Sequence, residues 1–271
     1  MKPRQSRKFR LAAIDLDGTL LGPDLTISRA NLEALERLRD AGMEVVLASG
    51  RHHESMRPHA ERVAGVEWLV SSQGAEVSDL PRRRTVHAVY LEPATAQEAF
   101  EIGHRLGHGN IVYTADGVFA PADGHARWVD FYAQLSGHAP MREPLSDLFR
   151  RNIYKVLWLG DEAHLGTSSA HAELEPLNAY KVRTHRHVFE FLSARASKGV
   201  GVAALAAHLG VGPEAVVAFG DGDNDVPLFE WAGTSVAMPH GWPEAKRRAS
   251  AVAPEGPPET ALARAVELVL G

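Results

Sequence analysis

The sequence contains no cysteine. Disulfide bonds, thiolate metal sites and a cysteine nucleophile are therefore excluded. It also has no apolar run near the ~18 residues needed to cross a bilayer, so we expect no membrane partner. Its 29 basic and 34 acidic residues give a formal charge of −5. This balance argues against nucleic acid as a partner, because nucleic-acid binders carry a basic field.

Common ligand-binding motifs are missing as well. The chain has no GxxxxGK[ST] phosphate loop, no GxGxxG dinucleotide fingerprint and no HExxH zinc helix. The segment from Asp221 begins like a calcium loop but lacks the glycine and the glutamate that such a loop needs. The tight histidine groupings are His52-His53 and His185/His187. A surface or structural role is favoured for both, and a metal site at His185/His187 stays open.

The length and composition are those of a globular protein. At 271 residues, with 45% apolar and 23% charged residues, the chain is expected to form one large or two modest domains. The basic start of the chain is followed by an apolar stretch of only four residues, 11–14, which is too short for a signal peptide. We therefore expect a solvated N-terminal tail and a cytoplasmic protein.

A short apolar run, Leu11–Ile14, ends abruptly in Asp15-Leu16-Asp17-Gly18-Thr19. This pattern predicts a buried strand that leads into a loop. In open parallel sheets the chemistry lies beyond the carboxyl ends of the strands, which is where Asp15 and Asp17 fall. A solvated turn is the alternative, because Asp and Gly are common turn formers.

The next elements form a βαβ unit. Ser28 is placed to cap a helix over residues 29–41, and residues 43–48 form a second apolar run that ends in Ser49-Gly50-Arg51. The two strands should be parallel and adjacent. Ser49 is therefore expected at the same sheet edge as Asp15.

The pattern changes between residues 86 and 187, where strands and helices mix and Asp116-Gly117 predicts a hairpin turn. Residues 135–149 are expected to form a loop. The parallel-sheet pattern then resumes, with a helix from Lys198 and a strand over 215–219. The sequence thus predicts an α/β fold: a Rossmann-like core domain with a mainly parallel sheet (1–85 and 188–271), and an inserted α+β domain (86–187).

Four polar segments should meet at one edge of this core sheet: Asp15 and Asp17, Ser49, Lys198, and the acidic run from Asp221. Clustered carboxylates repel one another and need a cation. All-oxygen ligands favour Mg²⁺. The Lys198 ammonium and the Ser49 hydroxyl suit a phosphoryl group, whose transfer depends on positioning and charge neutralisation.

The same segments carry a family resemblance. Asp15–Leu20 is similar to the first motif of the haloacid dehalogenase-like hydrolases, a superfamily dominated by phosphatases. Ser49-Gly50-Arg51 resembles the second motif of its Cof-like branch, Ser197-Lys198-Gly199 the third, and Gly220–Asp225 the fourth. The insert lies where that branch carries its α/β cap.

The resemblance implies a role for each matching residue. Asp15 would be the nucleophile, and Asp17 the general acid and base. Mg²⁺ would be held by Asp15, by the backbone carbonyl of Asp17 and by Asp221, with Asp225 orienting those ligands.

Phosphate binding is implied for Ser49, Gly50, Lys198 and Asn224. The substrate would be a small soluble phosphorylated metabolite, with sugar phosphates as the leading class, and the protein a monomer or weak homodimer. A phosphomutase and a non-catalytic phosphate sensor are the alternatives. The cap residues Arg151, Tyr154 and Lys155 are candidates for substrate contact, although a structural role is favoured for each.

The chain departs from the branch at three places. Gln73-Gly74-Ala75 replaces Asn-Gly-Ala, Pro239-His240-Gly241 replaces Gly-Asn-Ala, and Glu255–Glu259 replaces a late Asn-x-x-Asp-Gly-Val loop. None of these changes removes a proposed catalytic group. They are expected to alter substrate contacts and to leave the reaction unchanged.

Overall fold

The computed structural model describes residues 9–271, which form two compact units. The first unit contains residues 9–49, 56–87 and 197–271, and the second contains residues 50–55 and 88–196. The segment 1–8, where the sequence predicts most of a solvated tail, lies outside the described residues. Among residues 9–271, no helix combines the length and the apolar character needed to cross a membrane. The predicted domain boundaries, cytoplasmic location and oligomeric state stay predictions.

The strands and helices follow one another in mixed order along the chain. The strands are β1 (Leu11–Ile14), β2 (Glu44–Ala48), β3 (Trp68–Ser71), β4 (Glu76–Asp79), β5 (Thr85–Ala88), β6 (Gly109–Thr114), β7 (Gly117–Pro121), β8 (Met141–Glu143), β9 (Ile153–Leu159), β10 (Ala179–His185), β11 (Val188–Ser193), β12 (Val216–Gly220), β13 (Thr234–Ala237) and β14 (Ala251–Val252). The helices are α1 (Arg29–Asp40), α2 (His53–Ala60), α3 (Pro93–Arg105), α4 (Ala126–Ser136), α5 (Leu145–Leu148), α6 (Glu162–Ser168), α7 (Lys198–His208), α8 (Val226–Trp231), α9 (Pro243–Arg248) and α10 (Ala261–Leu270).

The sheet of the first unit has the order β14-β13-β12-β1-β2-β3-β4-β5. Its strands from β14 to β3 pair in parallel, and β4 joins β3 in the antiparallel direction. Leu11 and Ala13 of β1 pack in one core with α7, and Ala12 and Ile14 pack in another with α1 and α10. Helices therefore cover both faces, as a buried parallel sheet requires. This arrangement confirms the predicted α/β fold.

The sheet of the second unit has the order β10-β11-β9-β6-β7-β8. It is mainly antiparallel, and β7 and β8 pair in parallel. Trp158 and Phe191 pack in one core with apolar residues of α3, α5 and α6. The hairpin predicted at Asp116-Gly117 is confirmed, because β6 and β7 pair antiparallel across it.

The loop predicted over residues 135–149 is wrong in part. This segment contains the short strand β8 and the short helix α5. β8 forms because residues 141–143 pair with β7, although two of the three are charged and the segment shows no strand-like alternation. Pairing with a neighbouring strand therefore overrides the local pattern, as is usual for strand propensity.

Candidate active site

Three neighbouring strands of the first unit have polar residues just beyond their ends. The register places Ile14 of β1 opposite Leu47 of β2 and opposite Phe219 of β12. Asp15 follows Ile14 directly, and Ser49 and Asp221 each lie two residues beyond the paired position. Because parallel strands end at the same sheet edge, the register brings these residues to one edge, where α/β proteins bind ligands.

Lys198 is the first residue of α7 and is fully buried. The helix begins there because the Oγ of Ser197 accepts the backbone N–H of Val200 at 3.2 Å. The Lys198 Nζ donates to Asp15 Oδ1 at 2.5 Å and to Asp225 Oδ1 at 2.6 Å. The ammonium therefore joins the first sequence motif to the fourth, across 183 residues of chain to Asp15.

Asp225 uses its second oxygen to shape the loop after β12. Its Oδ2 accepts the backbone N–H groups of Asp221 and Gly222, both at 3.0 Å. Its side chain is 0% exposed, so these bonds and the Lys198 contact replace water. Asp225 thus holds the loop that carries Asp221.

The charges of this cluster are strongly coupled. Burial raises the pKa of Asp15, the Lys198 ammonium opposes the rise, and the charges of Asp225 and Asp17 add to it. Burial also raises the pKa of Asp221 well above its usual value, with further contributions from Asp15 and Asp225. Burial alone would lower the pKa of Lys198, but Asp15 and Asp225 raise it above its ordinary value. Lys198 is therefore cationic and offsets only part of the negative charge.

The donor set fits a hard divalent cation. Carboxylate oxygens of Asp15, Asp221 and Asp225 lie within 4.8 Å of one another. Because Asp225 already spends both oxygens on hydrogen bonds, Asp15 and Asp221 are the side chains left to bind a metal directly. Oxygen ligands alone, with an excess of negative charge, are the chemistry that Mg²⁺ prefers.

The loop after β1 packs directly against Asp221. Gly18 has a φ of 78°, and a Cβ there would lie 2.4 Å from Asp221 Oδ2, so only glycine fits. Asp17 is exposed on the same loop, and its charge acts on both Asp15 and Asp221. The Nε2 of His240 lies 2.7 Å from the Gly18 carbonyl oxygen. This contact comes from a position where the chain departs from the Cof-like branch.

Gln73 is a site residue whose contact the sequence reasoning missed. Its side-chain Oε1 accepts the Nδ2 hydrogen of Asn224 at 3.1 Å, and its backbone N–H donates to the Ser49 carbonyl at 3.0 Å. Its φ of 60° lies in the left-handed region. Gln73 therefore links the two predicted phosphate-binding residues Ser49 and Asn224. The sequence signals were its place after β3 at the same sheet edge and its departure from the asparagine of the Cof-like branch.

Gly50, also predicted to bind phosphate, belongs to the second unit. Its carbonyl accepts a hydrogen bond from Lys155 Nζ at 2.7 Å, and the same ammonium pairs with Glu190 at 2.8 Å. Arg151 pairs with Glu143 and Asp116, and Tyr154 is buried and stacked on Tyr90 with ring centroids 5.1 Å apart. Each of the three cap candidates is thus engaged in contacts within its own unit, and substrate contact by them stays a prediction.

The rings of His185 and His187 lie 5.5 Å apart. The Nδ1 of His187 contacts the Gly160 carbonyl at 3.0 Å, and the Nδ1 of His185 accepts the His187 backbone N–H at 3.2 Å. Both nitrogens are used in local structure, which supports a structural role for this pair.

Comparison with known proteins gives one consistent result. The family model for haloacid dehalogenase-like hydrolases matches residues 12–265. The phosphatase YwpJ of Bacillus subtilis is 30% identical over 269 residues, covering 90% of this chain and 94% of its own. The 5-amino-6-(5-phospho-D-ribitylamino)uracil phosphatase YitU of the same species is 28% identical and covers 85% of this chain and 87% of its own. A solved haloacid dehalogenase-like hydrolase from B. subtilis superposes with a TM-score of 0.82 at 26% identity, covering 96% of this chain and 99% of its own.

Proposed function

Because the chain belongs to the haloacid dehalogenase-like hydrolase family, we propose that it hydrolyses phosphomonoesters of small metabolites through an aspartyl-phosphate intermediate. The observation that carries the proposal is the buried contact of Lys198 with both Asp15 and Asp225, at 2.5 and 2.6 Å. It supports a nucleophilic role for Asp15, because this carboxylate lies beside a fixed positive charge at the end of β1. Stabilising the charge of a transferring phosphoryl group requires such an arrangement.

In the first step, a carboxylate oxygen of Asp15 attacks phosphorus and the bond from phosphorus to the ester oxygen breaks. Asp17 gives its proton to the departing alkoxide, so the alcohol leaves neutral. In the second step, Asp17 takes a proton from water while the water oxygen attacks phosphorus. The Asp15–phosphorus bond breaks, which releases inorganic phosphate and restores both carboxyl groups.

Lys198 has two functions in this scheme. It holds Asp15 in one orientation, and its charge stabilises the added negative charge of the phosphoryl oxygens. Asp225 fixes the ammonium in place and positions Asp221 through the loop backbone. We assign Ser49, Gly50 and Asn224 to the phosphoryl oxygens, with Gln73 orienting the Asn224 amide.

Mg²⁺ is the cofactor that we propose for this site. Asp15, Asp221 and the backbone carbonyl of Asp17 would hold it, with Asp225 orienting these ligands. When bound, the ion neutralises negative charge between the carboxylates and the phosphoryl group. The excess of acidic over basic charge in the cluster supports this assignment.

For the substrate we propose a small phosphorylated polyol or sugar. The support comes from the family resemblance and from the relative YitU, whose named substrate carries a phosphorylated ribityl chain. A phosphomutase would use the same Asp15 chemistry but return the phosphoryl group to a second hydroxyl. A phosphate sensor would bind the ligand without turnover.

The test is phosphate release from a panel of phosphomonoesters with and without Mg²⁺. Asp15→Asn should lower the rate by roughly three orders of magnitude or more. Asp40→Asn, an exposed change at the end of α1, is the matched control and should keep the wild-type rate. Isomerised product without free phosphate would identify a mutase. Ligand binding without turnover would identify a sensor, and either result would overturn the hydrolase proposal.

A further inference from the structure

The turn that joins β13 to α9, residues 238–242, is fixed by backbone contacts to the loop that carries Asp221. The Gly241 N–H donates to the Met238 carbonyl at 3.0 Å, which closes the turn. The Trp242 N–H donates to the Asp221 carbonyl at 2.8 Å. A Cβ at Gly241 would come within 2.6 Å of the same carbonyl oxygen, so the two backbones lie in close contact. The position of the turn is therefore set by Asp221.

His240 lies in this turn and contacts the loop that follows β1. Its Nε2 lies 2.7 Å from the carbonyl oxygen of Gly18. Because a carbonyl oxygen can only accept a hydrogen bond, the Nε2 carries the hydrogen and donates it. The side chain of His240 is exposed, but the chain on either side of it is buried at Pro239 and Gly241. The donor is therefore presented from a fixed backbone.

Gly18 directly follows Asp17 and is the most adaptable residue of its loop. Glycine has more accessible backbone conformations than any other residue, and the φ of 78° at Gly18 lies in the left-handed region. Three backbone hydrogen bonds run from residues 19–21 back to residues 15–16, and the one from the Thr19 N–H is long, at 3.4 Å. The bond from His240 to the Gly18 carbonyl adds an anchor from outside the loop, next to Asp17.

A surface contact without a role in the reaction is the simpler alternative. A hydrogen bond contributes only about 0.5–1.5 kcal/mol to stability, and losing an incidental one would change neither the rate nor the preference among substrates. The geometry favours a role in the site. The turn that carries the donor is fixed at Asp221, and Gly18, which accepts the bond, packs on the Asp221 carboxylate. The contact of His240 thus connects three loops around one predicted metal ligand.

We propose that His240 is a positioning residue for Asp17. By holding the Gly18 carbonyl, it keeps the Asp17 carboxyl group within reach of the oxygen of the leaving alcohol. This role rests on the proposed phosphatase function, in which Asp17 gives its proton to that oxygen. A displacement of about 1 Å at a catalytic group can lower a rate by about 100-fold. One hydrogen bond to this loop is therefore enough to affect the reaction.

The leaving group distinguishes this role from a structural one. An alkoxide needs a proton as it departs, whereas 4-nitrophenolate is a stable anion that departs without one. Misplacing the general acid therefore slows the cleavage of glycerol 2-phosphate more than the cleavage of 4-nitrophenyl phosphate. The ratio kcat/KM reports this step, because it contains only the steps up to the departure of the leaving group.

The experiment measures kcat/KM of the full chain for these two esters in saturating Mg²⁺. His240→Leu should lower the value about tenfold for glycerol 2-phosphate and less than about threefold for 4-nitrophenyl phosphate. Asp17→Asn should show the same preference more strongly. His240→Gln should restore most of the loss, because its Nε2 donor is as many bonds from Cβ as that of histidine. His208→Leu, at an exposed histidine of α7 in the same unit, is the control and should match the wild type.

The Tm of His240→Leu should fall by no more than about 4 °C, the shift that a loss of about 1 kcal/mol produces in a domain of this size. Equal losses with the two esters would overturn the positioning role, because His240 would then support the site as a whole. Wild-type values of His240→Leu with both esters would overturn it as well and leave the hydrolase proposal standing. If the wild type releases phosphate from no ester of the panel, the proposed function fails and the role of His240 fails with it.

Discussion

Gln73 accepts a hydrogen bond from Asn224 at 3.1 Å, across 151 residues of chain. The two residues belong to loops that follow β3 and β12, and Asn224 in the second of these loops is predicted to contact phosphate. Where the Cof-like branch has asparagine, this chain has an amide one methylene longer. The longer side chain brings Oε1 of Gln73 within hydrogen-bond distance of Asn224 Nδ2.

Shortening the Gln73 side chain should therefore impair phosphate binding. Gln73→Asn keeps a residue that tolerates the left-handed φ of 60° but removes the reach to Asn224. A net hydrogen bond is worth about 1 kcal/mol, so we expect kcat/KM to fall about fivefold. Inhibition by inorganic phosphate should weaken by a similar factor. If Gln73→Asn and Gln73→Ala both match the wild type in both measurements, the contact has no role in binding.

Removing the Lys198 ammonium should destabilise the fold through the carboxylates that it leaves behind. We expect Lys198→Met to lower the free energy of unfolding by about 3–5 kcal/mol in chelator, because Asp15 and Asp225 lose their buried counter-ion. The double variant Lys198→Met/Asp225→Asn removes one orphaned charge and should be more stable than the single variant. Urea unfolding measures both. The single variant Asp225→Asn completes the cycle. If the loss in the double variant equals the sum of the two single losses, the three groups do not form a coupled unit.

The sequence predicted those parts of the site that depend on local pattern. Asp15, Ser49 and Asp221 were predicted because each follows an apolar run at a strand end, and Lys198 because it opens a helix. Parallel pairing then brings the strand ends to one edge of the sheet, so the strand positions alone predict that these residues lie close together. The α/β core was predictable for the same reason.

Contacts between distant side chains were not predictable in this way. The bond from Asn224 to Gln73 depends on a left-handed backbone at Gln73, and the one from Lys155 to Gly50 joins residues 105 positions apart. β8 forms only because β7 is present to pair with it. Periodicity and spacing in the sequence do not predict such contacts, because they depend on how distant parts of the chain pack together.

The partly buried carboxylate of Glu44 in β2 should make the stability of the protein depend on pH. The Oε1 of Glu44 is buried without a hydrogen-bond partner among the described residues, and burial, with the charge of Glu67, raises its pKa. In the unfolded state Glu44 loses its proton near its ordinary pKa of 4.5, whereas the folded state keeps the proton to a higher pH. The wild type therefore loses stability as pH rises from 4.5 through the raised pKa of the folded state.

Glu44→Gln should remove this loss. We expect it to raise the free energy of unfolding at pH 7 by up to about 1 kcal/mol, since the group is only partly buried. The gain should disappear below roughly pH 4, where the wild-type carboxyl is protonated in both states. The measurement is denaturant unfolding across this pH range. The control is Glu36→Gln, a change at an exposed residue of α1. A gain that does not change with pH would contradict the electrostatic cause.

The effect of Asp221→Asn on stability should have opposite signs in the absence and in the presence of a divalent cation. Without a divalent cation, its charge is repelled by Asp15 and Asp225, which together with burial raise its pKa. Asp221→Asn should therefore be more stable than the wild type in chelator. In saturating Mg²⁺ the order should reverse, because only the wild type gains binding free energy, about 2.7 kcal/mol when the ion is at 100 times its Kd. Thermal unfolding in the two conditions tests both signs. If the wild type is the more stable protein in chelator as well, Asp221 is held by contacts other than a cation, and the carboxylate cluster is not a metal site.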